Sequence, residues 1–508
     1  MLMGTWIKRS LFVCAIFAVT WVMFIAYWSG SNHMPDISDV ILFLLVLPVC
    51  FLLLVWGVRK LRLSLAAAAA ARQAAAAQTP APEVPTTPAH HVERHWTLVI
   101  AASALRSPQG DDAATLLSQL QKQDARLDLD PELTDRQGFP ILAGRIGALD
   151  VESAQSDYLA WQEAQSPEAA QAPTLATGHL RTLALAADIT RELGQRLLAH
   201  PFLTQYLEAP AHQREAVGLP QVHLLALLPA RWEGAQRLQA AQWLGDLLAQ
   251  EGWPREKITV LPVIAGEAVH PMLHLDRLIA TSRDVNAKQP TSQLTSPYLA
   301  VAVAAESSLD DAIVEEWEAQ QQLLCSSANT GKSPGEGAAG LILADATQAI
   351  ALGADTLVLM HRAAVGRKDK SADAPGRIEG EFLSRLVQGA LQDAGVAAAA
   401  IGLLATDSDY RGSRTEEIMK MGYDSLPEID LGSQCVKLGA GCGAAGAATV
   451  MSALVLAHSA SEALGQAALC VSNDHAHERA AMVVRPQDSP STVSTPTPEA
   501  TAAPAATA

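Results

Sequence analysis

Between residues 95 and 486 the apolar positions follow two periods. Short apolar runs bounded by polar residues predict β-strands, and segments with apolar residues three and four positions apart predict amphipathic helices. The most regular helical pattern covers residues 180–198. Strands and helices alternate in two series, the second of which begins at Thr356. Such alternation is typical of an α/β domain built from layers of helix and sheet.

The two series predict the following elements. The first contains strands at residues 96–102, 222–228, 258–264, 299–304 and 340–343, and helices at residues 112–122, 180–198 and 234–250. The second contains strands at residues 356–360, 401–405, 467–472 and 480–484, and helices at residues 380–394 and 444–458. A glycine- and alanine-rich turn is predicted to lead into the last of these helices.

The N-terminal region has a different pattern. Residues 11–28 and 40–58 are apolar and free of charge, and each is close to the roughly 20 residues that cross a bilayer as a helix. The flanking basic residues are Lys8, Arg9, Arg59, Lys60 and Arg62. The short loop between the two stretches has no Lys or Arg, so we expect a membrane hairpin with both ends in the cytoplasm. A cleaved signal peptide is the alternative, although no clear small-residue cleavage site separates the stretches.

These patterns divide the chain into five parts. The predicted parts are a transmembrane hairpin (1–62), an Ala/Pro-rich stalk and linker (63–94), two halves of one folded domain (95–350 and 351–486), and a disordered Ser/Thr/Pro/Ala tail (487–508).

Charge and cysteine usage exclude some functions. The net charge of −17 argues against a nucleic-acid partner, because phosphate binding needs a basic surface. The six cysteines have neither disulfide nor zinc-site spacing. The TGKS segment at residues 330–333 lacks the first glycine of a phosphate-binding loop. We therefore expect no cofactor and no metal.

A few polar residues are candidates for chemistry. Asp407, Asp409 and Glu416 could act as general acids or bases, although acids in one loop more often cap helices or face water. His270 and His274 are four residues apart and could share a helix face, which is more often a packing or surface arrangement than a ligand pair.

The segment from Asp474 to Glu478 is a candidate metal site. It contains His475 and His477 between its two acids. Alternating polar residues at the edge of a strand more often form a solvated surface than a set of ligands.

Residues 435–454 carry the most specific motif, CVKLGAGCGAAGAATVMSAL. It resembles the GHxxGAAGA turn of the β-ketoacyl synthases, with Ala440 at the histidine position. Three further segments are similar to that family: residues 98–120, the SPGEGAAGLILAD segment at 333–345, and the closing strand pair at 470–484. The resemblance implies a thiolase-like fold of two pseudo-repeated β/α halves.

The departures from the family are as informative as the matches. A condensing enzyme uses a cysteine thiolate, and no cysteine occurs between residues 51 and 324. The loop that holds the first histidine of the family here contains Asp407, and the closing glycine loop is replaced around Asp474. The family's lysine aligns with Cys435, and Lys437 lies two residues away. We therefore expect no catalytic residue, with degenerate positions near Asp407, Ala440 and Asp474.

Together these features predict a pseudoenzyme of the bacterial inner membrane with its folded domain in the cytoplasm. Its expected role is structural, scaffolding or partner-binding, in an envelope assembly such as a secretion system. The resemblance implies a homodimer, or a heterodimer with another thiolase-fold or envelope protein. The alternative is an acyltransferase, hydrolase or acyl-chain-binding protein of lipid or polyketide metabolism that uses a non-standard site, with Asp407 or His475 as candidate residues.

Overall fold

The computed structural model describes residues 93–165, 175–261, 263, 271–284 and 297–487. All of these belong to one compact unit, Pro88–Ala508. The predicted membrane hairpin, most of the stalk and nearly all of the predicted tail lie outside the described residues. Within the described part, one helix, Gly446–Leu464, has the length and apolar composition of a membrane span, and 72% of its apolar window is buried inside the domain.

The strands are numbered in chain order. They are β1 Leu98–Arg106, β2 Asp128–Thr134, β3 Pro140–Ala143, β4 Val222–Leu227, β5 Ile258–Leu261, β6 Leu299–Ser307, β7 Glu336–Ala344, β8 Val358–Met360, β9 Ala364–Arg367, β10 Ile401–Thr406, β11 Cys435–Lys437, β12 Ala467–Ser472 and β13 Glu478–Pro486.

The α-helices are numbered in the same way. They are α1 Ala113–Gln121, α2 Val151–Gln165, α3 Thr177–Leu197, α4 Phe202–Glu208, α5 Gly234–Gln250, α6 Pro271–Asp284, α7 Asp311–Ala319, α8 Ala346–Ala351, α9 Glu381–Ala394, α10 Gly412–Ser425, α11 Leu438–Cys442 and α12 Gly446–Leu464. Short 3₁₀ helices occupy Ala211–Val217, Arg255–Lys257 and Ala398–Ala400.

Two groups of five strands share one topology. In the first half the strand order is β5-β4-β6-β7-β1, and in the second half it is β11-β10-β12-β13-β8. Each half therefore places its strands in the order third, second, fourth, fifth, first. In both halves the second strand is parallel to the third and fourth, and the fifth is antiparallel to its neighbours. The predicted double series is thus a repeated fold unit, and β1 pairs with β8 to join the halves.

The helices cover these sheets in layers. α3 and α5 pack on the outer face of the first half, and α9 and α10 pack on the outer face of the second. α6 and α12 share one core with strands of both halves. α12 is apolar on nearly all sides because strands of both halves pack around it, and residues 448–458 are all buried.

Most predicted elements are present with shifted ends. The predicted helix at residues 234–250 has the observed bounds of α5, whereas the predicted strand at 299–304 continues to Ser307 in β6. The predicted turn before the last helix, at residues 439–448, is wrong in part, because Leu438–Cys442 is a short helix. The strand Cys435–Lys437 just before it was not predicted. The pattern also missed several elements, including the β2–β3 hairpin, α2 and α10.

Candidate functional site

The carboxyl ends of the parallel strands in both halves meet at a cavity of about 490 Å³. In α/β folds this edge is the usual place for a ligand. The first half contributes the loop after β4, the end of β6, α7 and Lys332. The second half contributes the loops after β10 and β12 and the first turns of α12. The first-half side combines apolar residues with the charged Arg231, Arg237, Glu306 and Lys332, and the second-half side carries a group of carboxylates.

Asp407 joins the two second-half loops. It follows the last residue of β10, and its Oδ1 accepts hydrogen bonds from the backbone N–H of Asn473 (2.8 Å) and Asp474 (3.2 Å). The Ser472 hydroxyl donates to its Oδ2. Burial, with a smaller contribution from the Asp474 charge, raises the pKa of Asp407 to about 6. The predicted candidate is therefore a buried carboxylate that organises the loop opposite it.

Asp474 is held by basic side chains from three places. Its carboxylate pairs with Lys332 at 3.3 Å and with Arg411, and its carbonyl oxygen accepts from Arg414 Nε at 3.0 Å. Burial acts to raise the pKa of Asp474, but the charges of Lys332, Arg411 and Arg414 outweigh it and lower the pKa. Because Lys332 belongs to the first half, this ion pair connects the halves across the cavity.

Asp409 shares Arg411 with Asp474. Arg411 Nε donates to Asp409 Oδ2 at 2.7 Å, and its backbone N–H donates to Oδ1 at 2.9 Å. Burial still raises the pKa of Asp409, with the nearby Asp474 charge acting in the same direction. Glu416, the third predicted acid, lies apart from the cavity and pairs with Lys420 at 2.6 Å on the exposed side of α10.

Ala440 lies in α11, one residue beyond Gly439 on the cavity wall. It is buried, and its backbone N–H donates to the Ser408 carbonyl at 3.1 Å. The positions Asp407, Ala440 and Asp474 are thus brought together at one edge of the cavity. None of the three positions supplies an imidazole group. Asp407 and Asp474 are acids bound to neighbouring residues, and Ala440 has no functional group.

The carboxylate of Glu306, a residue of β6, lies beside the first residue of α12. Gly446, the first residue of this helix, has a φ of +48°, and a Cβ there would overlap the Glu306 carboxylate. Arg231 pairs with Glu306 at 2.6 Å. A helix N-terminus favours a negative charge, so the chain supplies its own anion at this point. Sequence patterns missed Glu306 and Arg231 because neither stands in a recognisable motif.

The described cysteines do not line the cavity. Burial raises the pKa of Cys435 to about 11 and that of Cys442 to about 12. Burial also raises the pKa of Cys470 far above its usual range. Cys325 lies in the loop before β7, with its Sγ 3.2 Å from Ser327 Oγ. None of the three buried thiols is therefore suited to act as a thiolate at neutral pH.

The remaining candidates are dispersed. His475 and Glu478 line the cavity, but His475 Nδ1 accepts from the backbone N–H of His477 and Glu478. His477 Nδ1 instead faces the Lys368 carbonyl at 3.0 Å. In the part of the chain that the structure describes, no group of three His, Cys, Asp or Glu side chains could hold a metal ion. His274 lines the cavity, and His270 lies outside the described residues.

A buried ion network lies behind these loops, and the sequence patterns did not predict it. Glu417 accepts from Arg479 Nε at 2.8 Å and from Lys368 Nζ at 2.8 Å. Glu417 and Arg479 are both fully buried. The sequence feature that could have predicted this network is the mixture of acids and arginines at residues 407–417 and 474–479. A solvated loop would show the same mixture.

No protein-family model and no curated protein matches the chain. Among solved structures, it is similar to the oxazolomycin ketosynthase domain OzmH KS7 of Streptomyces albus JA3453, with 14% identity, 77% of this chain and 75% of that chain covered, and a TM-score of 0.52. The ketosynthase from module 6 of the bacillaene synthase of Bacillus subtilis 168 is 11% identical, over 77% and 72% of the two chains, with a TM-score of 0.49. At these identities the first match establishes the fold alone: a mixed α/β fold like that of thiolase-like ketosynthase domains.

Proposed function

We propose that this chain is a ketosynthase-like protein that does not catalyse condensation and instead acts as a structural or partner-binding component at a bacterial inner membrane. The observation that supports it most directly is the cavity. Its described lining contains no thiol, and its acids are bound by hydrogen bonds or ion pairs.

The missing nucleophile supports the same proposal. Condensation requires a thiolate that can form an acyl thioester. The cavity borders Val263 and Pro271, and the whole sequence between residues 51 and 324 has no cysteine, so this wall cannot supply one. The three buried thiols elsewhere stay protonated at neutral pH because burial raises their pKa.

Covalent trapping tests this proposal. The purified full chain is incubated with an acyl-thioester donor and, separately, with a cerulenin-like probe, and labelled residues are mapped by mass spectrometry. We expect no stoichiometric label at a single residue. A Cys325→Ser variant removes the half-buried loop thiol and so reports any adventitious labelling. Stoichiometric label at one residue lining the cavity, in both forms, would contradict the proposal.

Membrane attachment and partners form the second part of the proposal. The apolar stretches at residues 11–28 and 40–58 and the basic residues around them support two spans with the folded domain in the cytoplasm. Reporter fusions after residue 33 and after residue 90 test this topology, with only the first expected outside the cytoplasm. Affinity capture from native membranes would then separate an envelope assembly from lipid synthesis as the setting.

A dimer through the first half is the third part. β5 ends the strand order, and no described strand pairs with its outer edge, where Thr259 is exposed. We expect a dimer in sedimentation velocity, and monomer after Thr259→Lys, because a lysine on a strand edge opposes pairing. Thr134→Lys on the separate β2–β3 hairpin is the control and should remain dimeric. A monomeric wild type would exclude the homodimer.

The alternative function is acyl transfer, hydrolysis or acyl-chain binding at a non-standard site. The raised pKa of Asp407, about 6, favours it, because a buried carboxyl that titrates near neutrality suits general acid/base chemistry. Hydrolysis of p-nitrophenyl butyrate tests this alternative. Turnover lost in Asp407→Asn but kept in Asp430→Asn, a change at an exposed acid, would favour the enzyme over the scaffold.

A further inference from the structure

Arg237 differs from the other described cations that line the cavity. It lies in the second turn of α5, and its Nε is buried without a hydrogen-bond partner among the described residues. Arg231 on the same wall is neutralised by Glu306, and Lys332 is neutralised by Asp474. Arg237 forms no ion pair with any residue that the structure describes. An unpaired guanidinium facing a cavity is costly unless a ligand or solvent satisfies it.

The first-half wall that carries Arg237 also has apolar side chains, together with one further acid, Glu316. Leu228, Ile313 and Trp317 line the same cavity from the first half, and Ile313 is 8% exposed. A volume of about 490 Å³ lies within the range that small organic ligands occupy. The site therefore combines one fixed positive charge with an apolar surface.

The carboxylates of the cavity do not compete for the same role. Asp409 is bound by Arg411, Glu478 pairs with Arg367 at 3.3 Å, and Asp407 accepts three hydrogen bonds from its own loops. They belong to the second-half wall. On the first-half wall, Glu306 is paired with Arg231, and Glu316 accepts from the Gln320 side chain at 2.9 Å. A ligand that enters thus meets an available cation on the first-half side, while each of these anions already has a donor.

We infer that the cavity binds a compact organic anion, whose carboxylate pairs with Arg237 and whose apolar part lies against Leu228, Ile313 and Trp317. The guanidinium is planar with parallel N–H donors, which match the two oxygens of a carboxylate. This binding requires no nucleophile. It goes beyond the proposed structural role, and it can hold whether or not the chain has a catalytic activity.

Calorimetric titration of the full chain tests this inference with three six-carbon probes of equal length. The probes are hexanoate, hexylamine and hexanol, whose head groups are respectively an anion, a cation and a neutral hydroxyl. We expect saturable binding of hexanoate, and at least about tenfold weaker binding of hexanol, because the charge-assisted pair with Arg237 is lost. Hexylamine should bind more weakly than either.

Three variants complete the test. Arg237→Gln should weaken hexanoate binding by about tenfold and bring it close to that of hexanol. Arg237→Lys keeps the charge without the planar fork and should fall between the two. Arg196→Gln, on the exposed end of α3, makes the same change in net charge and should bind hexanoate like the wild type. Melting temperatures of all variants identify any loss of folding.

Several results would overturn the inference. They are an absence of saturable hexanoate binding by the folded wild type, equal binding of hexanoate by wild type and Arg237→Gln, or hexylamine binding tighter than hexanoate. If Arg237→Gln does not fold, Arg237→Lys decides: binding unchanged from wild type in that variant together with tight hexanol binding would show that the carboxylate does not contact Arg237.

Discussion

The outer faces of the two half-sheets follow one strand order but are stabilised in different ways. On the first half, the core that α3 and α5 share with the sheet contains large rings, which are Tyr158, Tyr206, Trp232, Trp243 and Trp253. On the second half, the described core under α9 and α10 is aliphatic. Beside it α10 buries Arg414 and Glu417. One topology therefore accommodates either an aromatic layer or an ion network.

Because of this difference, the two halves should respond differently to substitutions, pH and salt. Apolar burial is insensitive to pH and salt, and it fails through cavities when a ring is removed. A buried ion network instead fails when one charge loses its partner. The second half supplies the network and four of the six acids in the described lining of the cavity, so the titratable behaviour of the cavity should come mainly from that half.

The largest expected effect is in the aromatic layer. Trp243 is 1% exposed, and its ring lies 5.1 Å from that of Tyr158 in an edge-to-face contact. We expect Trp243→Ala to lower the free energy of unfolding by about 4 kcal/mol, because it leaves a large cavity. Leu238→Ala on the same helix, at an exposed position, should cost less than about 1 kcal/mol. Denaturant midpoints of the full chain measure both, and equal losses would refute the aromatic layer as the main support.

The ion network should give the next largest effect. Glu417→Gln removes the charge that Arg479 and Lys368 share, leaving the buried Arg479 and the half-buried Lys368 uncompensated, and should cost about 3 kcal/mol. Glu416→Gln changes the neighbouring residue, whose pair with Lys420 is exposed, and should cost less than about 0.5 kcal/mol. The comparison of these adjacent substitutions in urea separates burial from charge. A small loss in Glu417→Gln would mean that the network does not stabilise the second half.

Asp407 should give a pH-dependent effect. Its folded pKa of about 6 is higher than the value of about 3.9 expected when unfolded, so between these values the native state binds more protons. Its contribution to stability is then complete below about pH 4 and is lost as pH rises through 6, a change of about 3 kcal/mol.

Asp407→Asn should remove this slope. The stability of the variant relative to the wild type should increase as the pH rises from 4.5 to 7.5. Urea midpoints measure this difference. Hydrogen bonds lower the pKa of the exposed Asp430, so Asp430→Asn should shift the pH dependence in the opposite direction. A pH profile of Asp407→Asn parallel to that of the wild type would contradict the raised pKa.

The smallest effect concerns the contact between the halves across the cavity. Lys332 and Asp474 are partly exposed, so Lys332→Gln should cost only about 0.5 kcal/mol. Lys370→Gln, at a lysine outside this pair, is the control. Added salt should reduce the difference between them, because screening weakens a partly exposed pair. A loss of several kcal/mol would show that this pair, rather than the shared core around α12, holds the halves together.

The fold was more predictable than the site because an element that buries one apolar side leaves a periodic pattern in the sequence. α5 has such a face and was predicted with its observed bounds. α10 was missed because its buried face includes Arg414 and Glu417, which a sequence pattern assigns to solvent. β6 was predicted too short for a similar reason, since Glu306 interrupts the apolar run while its backbone continues to pair with β7.

The sequence alone determined the double series of strands and helices, the alanine at residue 440, and the lack of cysteine between residues 51 and 324. Only the tertiary structure decided which charges meet. Lys332 and Asp474 are 142 residues apart, and Glu306 reaches the start of α12 from the other half. It also decided that the pKa values of Asp407 and Asp474, two chemically identical carboxyl groups, shift in opposite directions. The reason is that a pKa depends on burial and on neighbouring charges, which local sequence patterns do not encode.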